Sequence, residues 1–323
     1  MPFLDLTLPE LRDYRPEVTE PADFDEFWST TIAEARAIGG APTLTRVDAG
    51  LTAFETYDVE FPGFGGHGIR GWYLVPAGTT GRLATIVQFN GYGGGRGLPH
   101  ERLAWASAGY AYFVMDTRGQ GSNWGAGGDT PDPVGSGPAT PGSMTRGIES
   151  QNDYYYRRVF TDAVRAVDAV RRLDRVDPDR VCVTGASQGG AIAIAVAGLV
   201  DGLVAVMPDV PFLSHFERAV GFTDSNPYAE IVKYLSVHRG KEARVFETLG
   251  YFDGVNFAKR IRVPALYSVA LMDDICPPST VFASFNRLAV ASDIEIYPFN
   301  NHEGGDAHHW VKQARWLASL LAG

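Results

Sequence analysis

One run, Val181-Cys182-Val183-Thr184-Gly185-Ala186-Ser187-Gln188-Gly189-Gly190-Ala191, constrains the fold more than any other stretch of the chain. It opens with β-branched residues, narrows to small ones, and leads into Ile192-Ala193-Ile194-Ala195-Val196-Ala197. A buried parallel strand, a very tight turn and a helix packed close behind it need such a sequence. The turn holds Gly185-x-Ser187-x-Gly189, the spacing of a nucleophile elbow, in which a strained backbone lifts the serine Oγ above the sheet. Glycines flank the serine because a Cβ would clash where strand and helix nearly touch. The bland alternative is a glycine-rich turn with an incidental serine.

The rest of the chain reads as strands alternating with helices. Residues 1–22, punctuated by Pro2, Pro9, Pro16 and Pro21, predict an extended arm draped over the body. Asp23-Phe24-Asp25-Glu26 has capping-box spacing and predicts a helix that ends near Gly39-Gly40. Tyr57–Phe61 and Ile69–Val75 alternate around a Pro/Gly loop, as a pair of edge strands does. Ala84–Phe89 reads as a buried strand, Glu101–Ala108 as a helix and Tyr110–Met115 as a strand. A Gly/Pro-rich segment from Asp116 to Gly147 is longer than ordinary connections. A helix through Phe160, Val164 and Val167 precedes the elbow. Leu203–Met207, Ala265–Ala270 and Asp293–Tyr297 supply later strands, and a helix through Trp310, Leu317 and Leu321 closes the chain. The pattern predicts one α/β domain spanning 1–323, with a mainly parallel sheet covered on both faces and a cap-like connection over about 208–262.

A serine hydroxyl needs a base to take its proton. In α/β-hydrolases the partners follow in the order nucleophile, acid, histidine, and both are available after late strands. Leu271-Met272-Asp273-Asp274 follows one and Asn300-Asn301-His302-Glu303 follows another, at the edge where a parallel sheet gathers its site. His302 is the candidate base. His67, His100, His215, His238, His308 and His309 occupy loops or helices that do not follow a late strand. The acid is Asp273, which follows its strand directly, or Asp274, which would otherwise cap the helix begun by Pro277-Pro278; Asp306 is a more distant choice. Oxyanion donors are expected at the backbone N–H of Gln188 and in the loop Asn90-Gly91-Tyr92-Gly93, where Tyr92 is the candidate. Arg118-Gly119-Gln120 reads as structural, with Arg118 pairing buried carbonyls or a carboxylate near the elbow. The glycines around Gly91 evoke a dinucleotide loop, but no acidic residue ends a second strand at the distance such a loop requires. His302-Glu303 lacks the second histidine of a zinc-binding H-E-x-x-H, so a metal is not expected there.

A net charge of −10 argues against nucleic acid or an anionic membrane as the main partner. Two cysteines, Cys182 and Cys276, cannot build a disulfide framework, and a reducing compartment fits them. The N-terminus has no basic region followed by an apolar core, and no run approaches the ~18 apolar residues of a membrane span. The expectation is a soluble cytoplasmic protein.

Assembled, these residues resemble carbohydrate esterase family seven, the acetyl xylan esterase and cephalosporin-C deacetylase group. The likeness runs from Met1-Pro2-Phe3-Leu4-Asp5-Leu6, Tyr14-Arg15-Pro16 and Asp23–Trp28 through Asn90-Gly91-Tyr92, Arg118-Gly119-Gln120-Gly121, Gly185–Gly190 and Asp209–Leu213. It closes with Leu271-Met272-Asp273-x-Ile275-Cys276-Pro277-Pro278 and His302-Glu303. Ala270 departs from the glycine expected there, and Asn301 departs as well; neither touches the expected chemistry. The resemblance places the nucleophile on Ser187, the acid on Asp273 and the base on His302. It implies deacetylation of small acetylated carbohydrates and of cephalosporin-type acetyl esters, without cofactor, by a homohexamer whose sites face an internal cavity. Competing expectations are a serine peptidase or longer-chain lipase on the same fold, and a hydrolase fold serving as a binding protein. The aromatic connection through Phe212, Phe216, Phe222, Tyr228 and Tyr234 is expected to wall the substrate pocket.

Overall fold

The computed structural model describes residues 5–135 and 137–322, so Met1–Leu4 of the expected arm lie outside the described residues. In chain order the elements are α1 (Leu8–Asp13), α2 (Phe24–Ala37), β1 (Thr43–Val47), β2 (Phe54–Pro62), β3 (Gly68–Pro76), β4 (Leu83–Phe89), α3 (Ala104–Ser107) and β5 (Ala111–Met115). There follow α4 (Tyr155–Val170), β6 (Val176–Ala186), α5 (Gln188–Leu199), β7 (Ala205–Asp209), α6 (Phe216–Phe222), α7 (Tyr228–Val237), α8 (Glu242–Gly250) and α9 (Gly254–Ala258). The chain closes with β8 (Ala265–Ala270), α10 (Pro278–Phe285), β9 (Ser292–Tyr297) and α11 (Asp306–Ala322).

The strands form one sheet in the order β1-β2-β3-β5-β4-β6-β7-β8-β9. β1, β2, β3 and β5 pair antiparallel; from β5 across to β9 every pairing is parallel. Successive residues of a strand face opposite sides, and the central strands show it. Val181, Val183, Val206 and Tyr267 pack with α4 and α5 on one face. Cys182, Met207 and Leu266 pack with Trp105 and with Leu317 of α11 on the other. Both faces are therefore covered, which is why β8 is buried at every position rather than alternating.

Three expectations need correction. The arm is not wholly extended: Pro9 occupies the first turn of α1, where a proline costs no hydrogen bond, and Thr7 N–H donates to Glu10 Oε2 at 2.8 Å. Thr7-x-x-Glu10 was thus the working start signal. Asp23 makes no cap bond to α2; its carboxylate instead accepts the Tyr251 hydroxyl at 2.6 Å. The helix expected over Glu101–Ala108 is only the short α3 after a 3₁₀ turn. β1 had no counterpart in the sequence reading, because its mostly exposed residues, with Leu44 and Val47 three apart, carry no alternation.

Candidate active site

Ser187 lies between the last residue of β6, Ala186, and the first residue of α5, Gln188, and adopts φ 56°, ψ −119°. This is a costly conformation for a residue with a Cβ, of order 1–3 kcal/mol. Close packing enforces it. A Cβ on Gly185 would lie 2.4 Å from the Gly189 carbonyl carbon, and one on Gly189 would lie 2.2 Å from the Phe89 oxygen. The Ser187 N–H donates to the Asp209 carbonyl at 2.9 Å, fastening the turn to the end of β7.

The loops after β8 and β9 arrive at the same edge. Asp273 is buried, and its Oδ1 accepts the N–H groups of Ile275 at 2.9 Å and Cys276 at 2.8 Å. Its Oδ2 is 2.8 Å from His302 Nδ1. The His302 backbone N–H is in turn held by the Asn301 side chain at 2.7 Å. Asp273, not Asp274, is therefore the carboxylate that orients the imidazole. Asp306 lines the cavity as the first residue of α11. Ser187 and His302 line one cavity of about 950 Å³. The Ser187 hydroxyl rests on the Cys276 thiol, and among the described residues no hydrogen bond joins it to His302.

The two candidate oxyanion donors share a property. Neither the Tyr92 nor the Gln188 backbone N–H has a hydrogen-bond partner among the described residues. For Gln188, the first residue of α5, no intrahelical acceptor exists, and the positive end of the helix dipole adds to its pull on an anion. Side chains fix both backbones. Gln188 Nε2 donates to the Asn90 carbonyl at 3.1 Å, and its Oε1 accepts from Gln120 Nε2 at 2.9 Å and from the Tyr156 hydroxyl at 2.9 Å. Gln120 Oε1 accepts the Gly93 N–H at 2.7 Å. One glutamine pair therefore locks the elbow to the loop after β4. Arg118 sits beneath it, fully buried, with Nε 2.5 Å and Nη2 2.7 Å from the two Asp162 oxygens. The Arg118-Gly119-Gln120 motif thus braces the site through a carboxylate pair, rather than binding an anion.

The Tyr92 hydroxyl donates to Glu230 Oε1 at 2.7 Å, and burial pushes both the phenol and the Glu230 carboxyl upward. Burial likewise raises the Cys276 thiol well above its ordinary range. Asp273, Cys276 and His302 offer ligand atoms within 4.8 Å of one another, the one metal-like cluster among the described residues. A thiol held neutral is a poor ligand, and His302 Nδ1 is already committed to Asp273, so this set fits proton transfer better than metal binding. From the connection after β7, Asn226, Pro227 and Glu230 reach the cavity, while Phe212, Phe216, Tyr228 and Tyr234 are buried beneath it as core. Sequence reasoning missed Glu230, Cys276 and Trp124, all of which adjoin the site.

A mainly parallel sheet covered on both faces, with a strained serine between strand and helix and an Asp–His pair on the loops of the last two strands, defines an α/β-hydrolase. Within that class the chain belongs to the acetyl xylan esterase (AXE1) family of carboxylic ester hydrolases, whose pattern matches residues 1–320. An acetyl xylan esterase from Paenibacillus sp. R4 is 39% identical, with TM-score 0.92 over 97% of this chain and 99% of that one. Acetyl xylan esterase 1 from Thermoanaerobacterium sp. JW/SL YS485 is 33% identical, with TM-score 0.90 over 98% of this chain and 99% of that one. The acetyl esterase Axe7A from Xylanibacter ruminicola is 28% identical over 310 residues, 91% of this chain and 66% of that protein. No helix among the described residues is long and apolar enough to cross a membrane.

Proposed function

We propose that the protein removes acetyl groups from small acetylated carbohydrates, with Ser187 as nucleophile, His302 as base and Asp273 as its orienting acid. The observation that carries this reading is a single cavity holding Ser187 and an Asp273-bonded His302, with two unpaired backbone N–H groups beside the serine. Ser187 Oγ exchanges the Cys276 thiol for the imidazole across the cavity they share when substrate arrives, the stage at which catalytic bonds tighten. His302 Nε2 takes the hydroxyl proton as Oγ bonds to the acetyl carbon. The oxyanion gathers on the Tyr92 and Gln188 N–H groups. The C–O bond to the sugar then breaks and its oxygen takes the proton from His302. Water repeats the sequence on the acetyl-enzyme, releasing acetate and restoring Ser187. Asp273 holds the Nδ1 side of the ring and stabilises the imidazolium.

Family membership supports the acetyl preference, and a cephalosporin-type acetyl ester presents the same reacting group. The resemblance also supports a homohexamer, which light scattering on the purified protein measures. Two measurements test the chemistry. A serine-directed phosphonate should leave its mass on the peptide carrying Ser187, and Ser187→Ala should lose at least a thousandfold in kcat on sugar acetates. Labelling of another serine, full activity in the variant, or faster turnover of peptides or long-chain esters than of acetates sinks the reading.

A further inference from the structure

The long segment after β5 delivers one large side chain to the cavity that the proposed mechanism does not use. Trp124 is 48% exposed, in a chain where most aromatic residues are buried. Exposure does not make it loose. Its Nε1–H donates to the Tyr92 carbonyl at 2.7 Å, and its backbone forms an isolated parallel bridge with Gly94. The indole lies on glycine. A Cβ on Gly94 would sit 2.2 Å from Cζ2, 2.5 Å from Cη2 and 2.7 Å from Cε2, and one on Gly91 would sit 3.4 Å from Cζ2. Distances of 2.5 and 2.7 Å to the two neighbours of the nearest ring carbon are too short for a point beyond the ring edge and place it over the ring plane. One indole face is thus bedded on the Gly91–Gly94 backbone, and the ring borders the cavity that holds Ser187 and His302. The glycine run that evokes a dinucleotide loop therefore serves to admit an aromatic plane.

A rigid aromatic face beside a reacting serine is a recognition surface. An exposed apolar plane marks a binding site when it is held in place, because little side-chain entropy is lost on contact. Pyranose rings present a face of C–H groups with hydroxyls at the rim, which suits the negative face of an aromatic ring. We propose that Trp124 is the platform on which the sugar ring of the acetyl ester stacks, making it a specificity-determining residue for pyranose alcohols over simple alkyl ones. This rests on the proposed esterase reading, with the sugar held as the alcohol half while Ser187 attacks the acetyl carbon. Platform and nucleophile line the same cavity, and Trp124 is hydrogen-bonded to Tyr92, itself a proposed oxyanion donor.

The test compares two acetates, acetylated xylobiose and ethyl acetate, on wild type, Trp124→Phe and Trp124→Leu. Trp124→Leu should lower the ratio of kcat/KM for the sugar ester to that for ethyl acetate about tenfold, mostly through KM. Trp124→Phe, which keeps an aromatic face, should recover much of that ratio. With 5-fluorotryptophan incorporated, unacetylated xylobiose should shift the ¹⁹F resonance that is missing in Trp124→Leu. Equal losses on both esters, with no xylobiose-induced shift, would mean that the indole only supports the Tyr92 loop, and the proposal fails. A change of oligomeric state in Trp124→Leu with an unchanged ester ratio also overturns it, assigning the face to a second copy of the chain. If wild type hydrolyses neither ester, the esterase reading itself is at fault, whereas a bound xylobiose signal would still locate the platform.

Discussion

At the scale of single residues, two neighbouring carboxylates have different fates. Asp273 is buried and spends three acceptor positions on Ile275, Cys276 and His302. Asp274 has no bond to the imidazole, and its own N–H only approaches Asn301 at 3.4 Å. Asp273→Asn would present an amide N–H or a weaker acceptor to Nδ1 and favour the wrong tautomer. Its kcat should fall by about 10³–10⁴, by analogy with the same change in other serine hydrolases. Asp274→Asn should stay within about threefold. Steady-state kinetics on one acetate ester decides; comparable losses in both would remove Asp273 from the role given to it. Cys276 touches the serine hydroxyl, yet burial keeps its thiol neutral. Iodoacetamide at pH 8 should therefore leave native enzyme active and unlabelled, as mass spectrometry would show, and should label both cysteines after unfolding.

Between residue and molecule stand the loops, and their spacing depends on the Gln120–Gln188 pair. Gln120 bonds Gly93 N–H, Gln188 and the Tyr155 hydroxyl, so its loss loosens the loop carrying Tyr92 from the elbow, which keeps the Gln188–Asn90 bond to it. Gln120→Ala should lower kcat about ten- to a hundredfold with a smaller change in KM, less than deleting a donor outright. A selective rise in KM would instead mark Gln120 as a substrate contact. These loops also show what a sequence can and cannot disclose. Ser187, Asp273 and His302 were legible because each follows a strand, and strand ends set position at the sheet edge. Strand order alone left Asp273 and Asp274 open; the resemblance favoured Asp273, and the bond from His302 Nδ1 goes to it. Trp124 was not legible, because an irregular segment carries it back across Gly94 with no periodicity to announce the contact. The same holds for α1, where prolines masked a Thr7–Glu10 start signal, and for β1, whose mostly exposed residues lack a period of two.

For the molecule as a whole, the arm and the connection after β7 meet at a buried histidine. His215 adopts φ 49° at the start of α6, its ring stands 6.0 Å from that of Tyr14, and its surroundings include Val18, Thr19 and Leu249. Its Nδ1 has no hydrogen-bond partner among the described residues. Burial, with Arg218 nearby, pushes its pKa down to about 4. Unfolded histidine titrates near ~6.5, so between about 6.5 and 4 the unfolded chain takes up a proton that the folded one refuses. This group therefore withdraws stability as pH falls through that window. Asp253 acts in the opposite sense. Burial raises its carboxyl to about 6 although it accepts the N–H groups of His215, Phe216 and Val255. Its unfolded value is ~3.9, so the folded state binds that proton first and gains stability as pH falls from about 6 to about 4. The two slopes oppose one another at a single joint. His215→Asn keeps a residue that tolerates the left-handed backbone and removes only the first slope. The variant should be less stable than wild type at pH 7, and the deficit should shrink as pH falls toward 4.5. Urea midpoints at pH 7, 5.5 and 4.5 measure it, and two curves that stay parallel would show that His215 is protonated in the folded chain and that burial there does not exclude its charge.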